Sequence, residues 1–137
     1  VVVVRGRVLV PGEAEGSFVC LGAPISFWGG VDPATGHIAD PRHPDHGRSL
    51  AGVVLAVPEA VGSSSSSAVM LELLRRGVAP AALLLGRADA ILVLGVVVAG
   101  ELGYARIPVL EAPSVALAGW AEGTRLRIGS DGTVKPA

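Results

Sequence analysis

Cysteine is almost missing from this chain: there is one, Cys20, in 137 residues. A single thiol excludes an internal disulfide. It also excludes a self-contained iron–sulfur cluster or zinc ribbon, each of which needs several thiolates or a Cys/His set. Charge is scarce, at 17% of residues, and nearly balanced, with a net charge of −1. That leaves no basic footprint for nucleic acid and no polybasic stretch for an anionic membrane surface. Long apolar runs are lacking too. The longest, Ala90–Ala99, contains Gly95 and falls well short of the ~18–20 residues of a bilayer span. The opening Val1–Val4 run is too short for a signal-peptide core and is followed by Arg5. The expectation is a soluble, cytoplasmic protein with neither a nucleic-acid nor a membrane partner.

What the chain does have is apolar mass without aromatics. Half the residues are hydrophobic but only 4% are aromatic, and 19 Gly and 10 Pro punctuate the rest. General disorder is excluded by that hydrophobic fraction, and the length is that of one domain, residues 1–137, on a scale of roughly 150 residues each. So small a body cannot hide all of its apolar surface, so a partner surface is expected.

Periodicity predicts a strand over Val1–Val10 ending at Pro11–Gly12, and a second over Ser17–Leu21. Residues 27–49 then hold four Gly, three Pro, three Asp and three His with almost no pattern. A loop of that length in a compact domain is usually functional. Ala51–Val57 reads as a buried strand closed by Pro58. Ala68–Arg76 reads as a helix, with Val69, Met70, Leu73 and Leu74 on one face, Arg75 and Arg76 in the last turn and Gly77 as its stop. Further on, Ala81–Leu85 is a strand and Ala88–Leu102 a helix with Asp89 in its first turn. Ile107–Leu110 and Val115–Ala118 read as short strands. A hairpin joins Thr124–Ile128 to Thr133–Lys135 around Ser130–Asp131–Gly132. The fold class is α/β, a mixed sheet or small barrel with flanking helices.

Gly62–Ser63–Ser64–Ser65 sits at a strand-to-helix turn, where unpaired N–H groups and the positive dipole end gather. A glycine there lets a ligand approach the backbone, and a serine there is placed to act as a general base toward a carbon acid. Plain N-capping is the other reading, although five consecutive serines exceed any capping need. No Gly-Lys-Thr follows, so this is not a P-loop. In Asp40–Pro41–Arg42–His43–Pro44–Asp45–His46 the spacing matches no firm metal motif. Ordered-loop hydrogen bonding fits better, with Arg42 available for a carboxylate. Trp28–Gly29–Gly30 is either a pocket wall or an interface anchor. Cys20, in an apolar strand, reads as a core residue.

Taken together the motifs resemble the small-subunit, or swivel, domain of the aconitase X family. The resemblance runs through residues 6–16 (from Gly6–Arg7–Val8 to Glu15–Gly16), residues 24–36 (from Pro24–Ile25–Ser26 through Trp28–Gly29–Gly30 to Thr35–Gly36), Asp40–Pro41–Arg42–His43–Pro44, Ser49–Leu50–Ala51–Gly52, Gly62–Ser63–Ser64–Ser65 and Ala79–Pro80–Ala81–Ala82, nearly the whole chain. It implies a swivelling β/β/α domain that closes over a large catalytic subunit, in a heterodimer. That subunit would carry the iron–sulfur or iron centre, with no cofactor or metal bound by this chain. The family's members are hydro-lyases acting on small carboxylates. Carried over by position, Ser63 is the proton acceptor, and Ser64 and Ser65 are neighbouring substrate contacts. With the residue readings above, the expected substrate-binding set is Gly62, Ser64, Ser65, Trp28, Gly29, Arg42 and His43.

The chain departs from the pattern where aconitases proper have an arginine, here Ser65. It also departs at Glu59–Ala60–Val61, which stand where relatives commonly have a glycine and a basic residue. A missing cation weakens anion binding, most of all for a phosphate. The expected reaction is therefore dehydration of cis-3-hydroxy-L-proline to Δ1-pyrroline-2-carboxylate. The alternatives are the small subunit of (R)-5-phosphomevalonate dehydratase and a non-catalytic, partner-binding swivel module.

Overall fold

A computed structural model of the chain describes residues 2–137, so Val1 of the predicted first strand lies outside the described residues. Eight strands form one mixed sheet: β1 (Val4–Arg5), β2 (Arg7–Val10), β3 (Ala14–Cys20), β4 (Val54–Val57), β5 (Ala82–Leu85), β6 (Val109–Glu111), β7 (Arg125–Ile128) and β8 (Thr133–Pro136). Their order is β1-β8-β7-β3-β4-β5-β6-β2. The central pairs β3–β4, β4–β5 and β5–β6 are parallel and the outer pairs antiparallel.

The predicted strand over the first ten residues is in fact two strands at opposite edges of the sheet. Gly6 separates them, and its N–H bonds to the Gly132 carbonyl at 2.9 Å. The sheet therefore curls until its edges meet at Gly6. No ladder joins β1 to β2, so it is a curled sheet and not a closed barrel.

Parallel strands buried on both faces need apolar residues at every position, and β4 and β5 have them. Their side chains alternate between two cores. Leu55, Val57, Leu83 and Leu85 meet the helices, while Val54, Ala56, Ala82 and Leu84 meet Leu126, Ile128 and Val134 inside the curl.

Two long helices cover the outer face. In α2 (Ser66–Arg76) the buried residues are Ser66, Val69, Met70, Leu73 and Leu74, and Gly77 ends the helix in the left-handed conformation at φ 72°. In α3 (Ala90–Glu101) Asp89 is the N-cap, its carboxylate accepting the N–H groups of Ile91 and Leu92. The helices meet at Gly95, where a Cβ would lie 2.6 Å from the Ser67 carbonyl oxygen.

One prediction is corrected here. Residues 113–117 are a 3-10 helix and not a strand, with Pro113 in the first turn. Proline at a helix start gives up no bond, and the Ala-rich sequence that follows has low strand propensity.

Candidate active site at the serine turn

The site begins where β4 ends. The segment at Ile25 runs parallel to the one at Ala60, with Ile25 N–H donating to the Glu59 carbonyl at 3.2 Å and Val61 N–H to the Ile25 carbonyl at 2.9 Å. This pairing brings Ser26 against Gly62. At Gly62 φ is +96°, and a Cβ would sit 2.4 Å from Ser26 Oγ. Only glycine fits, in both conformation and space.

From there the turn tightens into α2. Ser63 Oγ accepts the Ser65 N–H at 3.0 Å, and the Ser63 carbonyl accepts the Ser66 N–H at 3.0 Å. Ser66 is buried, and its Oγ accepts the Trp28 N–H at 3.1 Å. Ser26 Oγ donates to the Trp28 carbonyl at 2.9 Å. The backbone of Trp28, in the one-turn segment α1 (Phe27–Gly30), is thus held from both sides by serines, while its indole stays 58% exposed.

Two hollows flank this seam. A small one of about 50 Å³ is lined by Val61, Gly62, Ser63, Ser66, Asp89 and Ile91, among others, with no Lys, Arg or His. A wider one of about 450 Å³ is lined by Ser26, Trp28, Gly29, Gly30, Asp40, Pro41 and Arg42. Arg42 Nε lies 3.6 Å from Asp40 Oδ1, with its side chain 91% exposed. Asp40 is held below the usual carboxylate range, first by the Arg42 backbone N–H and then by the charge of Arg42. Any anion binding at the serine turn therefore depends on backbone N–H groups, with one guanidinium next door.

Gly62 and Ser63 line the small hollow, and Trp28, Gly29 and Arg42 the wide one. Ser64 is exposed. Ser65 takes the N-cap position of α2 without a side-chain capping bond. His43 is buried and spends both ring nitrogens on its own loop. Nδ1 accepts the Asp45 N–H at 3.0 Å, so Nε2 carries the proton donated to the Ala23 carbonyl at 3.1 Å. That ring holds the loop which presents Arg42 and leaves no nitrogen for a ligand.

The sequence does not mark Ser26, Ser66 and Asp89 as site residues, although all three shape the hollows. Asp89 carries the one available signal, a helix-start aspartate. The parts played by Ser26 and Ser66 depend on the Ile25–Ala60 pairing, which has no local signature.

A separate apolar hollow of about 260 Å³ lies at the carboxyl ends of the parallel strands, lined by Cys20, Ala56, Pro58, Ala112 and Val115, among others. The Cys20 thiol is pushed above its ordinary range by burial first, then by Glu122 and Asp45, so it offers no ready nucleophile. Among the described residues no group of three or more His, Cys, Asp or Glu is arranged to hold a metal ion. No helix among them is long and apolar enough to cross a membrane.

A family model for the aconitase X swivel domain matches residues 3–135. The chain is 45% identical to the cis-3-hydroxy-L-proline dehydratase of Hypocrea jecorina over 106 residues, covering 77% of this chain but 18% of that protein. It is 39% identical to the phosphomevalonate dehydratase small subunit of Thermococcus gammatolerans over 127 residues, covering 93% of this chain and 91% of that one. The crystal structure of Thermococcus kodakaraensis aconitase X (holo-form) superposes with a TM-score of 0.87 at 30% identity, covering 100% of this chain and 99% of that one. The chain thus spans under a fifth of the length of the hydroxyproline dehydratase and nearly all of the small subunit.

Proposed function

The chain belongs to the aconitase X swivel-domain family, and on that footing we propose that it is the swivel part of a dehydratase, working against a larger catalytic body. In this reading Ser63 is the general base. Dehydration of a hydroxy acid needs a base for the proton α to the carboxylate and help for the departing hydroxide. The observation that carries the proposal is the serine turn itself, with Ser63 Oγ poised over the start of α2 in a hollow rimmed by Val61 and Ile91. A neutral serine hydroxyl takes up no proton, so Ser63 has to act as the alkoxide, its own proton released to solvent before closure. The helix-end field favours that negative charge, and exclusion of water on closure keeps it from being reprotonated by solvent.

Relatives with an iron or iron–sulfur centre would hold it on the larger body. The residues described here do not fit one, since they offer no clustered donor set. This chain's own part is to receive the proton at Ser63 Oγ, to orient the carboxylate on backbone N–H groups and to shut out water.

For the substrate we favour cis-3-hydroxy-L-proline, converted to Δ1-pyrroline-2-carboxylate. The hollow at Ser63 carries the Asp89 carboxylate and no basic side chain. That balance suits a zwitterion with a ring ammonium and disfavours a dianionic phosphate. A second reading, (R)-5-phosphomevalonate, draws on the near full-length match to the Thermococcus gammatolerans small subunit and on Arg42 in the neighbouring hollow.

The test is turnover by this chain assembled with its larger counterpart, each substrate offered in turn. We expect pyrroline carboxylate from hydroxyproline, and a loss of kcat of roughly 10²–10⁴ in Ser63→Ala with assembly unchanged. Turnover of phosphomevalonate alone would replace the substrate, and an active Ser63→Ala would remove the base.

A further inference from the structure

We propose that the exposed face of α3 is the surface on which this domain docks against the larger catalytic body, an inference that rests on the dehydratase reading above. An amphipathic surface helix has one apolar stripe, and a helix apolar all round is covered on all sides. Residues Ala90–Gly100 contain no charged side chain. One face, with Leu92, Gly95, Val96 and Ala99, is buried within this domain. The opposite face stays open, with Leu94 55% exposed and Val97 39% exposed, in line with Ala90 at helical spacing.

The open face is continuous with the serine turn. Ile91, one turn before Leu94, lines the same hollow as Ser63 and Val61, and Val61 is itself 45% exposed. A body that covers Ser63 from outside and reaches Ile91 is then about 5 Å along the helix axis from Leu94.

Two observations choose the occupant. The hollow holds serine hydroxyls and the Asp89 carboxylate, with no cationic side chain and no cluster of metal-holding donors among the described residues, so it offers no positive charge to stabilise the departing hydroxide. The missing groups have to come from whatever faces it. The match also covers 18% of the Hypocrea jecorina dehydratase, so most of that protein lies outside this domain and is available to provide them. A second copy of this chain would bring another serine turn and none of the missing groups. The partner surface is accordingly apolar and uncharged where it meets α3.

The experiment compares binding of wild type, the double variant Leu94→Glu/Val97→Lys and the reference variant Leu117→Glu to the larger body. Leu117 is 88% exposed and lies in the 3-10 helix, away from α3. We expect wild type and Leu117→Glu to bind equally and the double variant to bind at least ~30-fold more weakly, all with the same circular dichroism. Hydroxyl-radical footprinting of the wild-type complex reads the surface without any variant and should show Leu94 and Val97 protected. Equal binding by the double variant, or full labelling of Leu94 in a complex that turns over, overturns the docking face and leaves the dehydratase reading standing. A self-associating chain made monomeric by the double variant, with the complex intact, gives the face to a second copy and also overturns it. A wild-type chain that never assembles with the larger body overturns both.

Discussion

Replacing Ser66 with alanine removes the acceptor for the Trp28 N–H while leaving the Ser63 hydroxyl and its bond to Ser65 in place. A part-buried donor left unpaired costs about 1–3 kcal/mol, so Ser66→Ala should lower the unfolding midpoint in urea. Activity should fall as well, because the Trp28 wall is no longer tied to α2. Gly62→Ala acts on the same seam from the other side, since its Cβ would displace Ser26 Oγ. Cys20 gives a simpler prediction. Burial, then Glu122 and Asp45, push its thiol pKa up, so less thiolate exists at neutral pH. Alkylation by iodoacetamide should be slower than for a free thiol at pH 7, and its rise with pH should be displaced upward from that of a free thiol.

At the level of elements, the contact between α2 and α3 depends on Gly95. A methyl group there would press on the Ser67 carbonyl at 2.6 Å and on Met70 Cβ at 3.0 Å. Gly95→Ala should therefore destabilise the protein by about 1–3 kcal/mol through overpacking, even though alanine favours helices. Guanidinium unfolding would show the sign. The helices themselves were legible in the sequence, because the spacing of Val69, Met70, Leu73 and Leu74 and the stop at Gly77 are local signals. So was the serine turn between β4 and α2. The break at Gly6 was not, since an alternating run of valines reads as one strand whichever partners its two halves find. His43 was misleading for a related reason: its polar ring satisfies its own loop, and only the Ala23 carbonyl 20 residues away shows it.

Across the whole molecule, the resolved carboxylate shifts all run one way. Glu72 is held at about 2 by Arg75 and Arg76, Glu15 is lowered by Arg127 and Arg125, and Glu111 by the Ala88 N–H and Arg7. Carboxyls with lower pKa in the folded than in the unfolded state add stability above the unfolded value, and that stability is lost as pH falls through the folded value. The melting temperature should thus be steady down to about pH 4.5 and fall toward pH 2. Added salt should shrink the change, because these ion pairs are exposed and screened.

The strands on either side of Gly6 carry a consequence for how the chain comes to be folded. Val4 pairs with Val134, and Val8 pairs with Leu110, so the segment of this domain that is synthesised before the rest of it is among the last to find its partners. Until β6 and β8 have been synthesised, both edges of the nascent sheet lack their closing strands. Contacts so distant in sequence slow the search, and open edges invite pairing with other chains. During synthesis the interval before β8 emerges is therefore when this protein is most exposed to aggregation, and when a chaperone would find it.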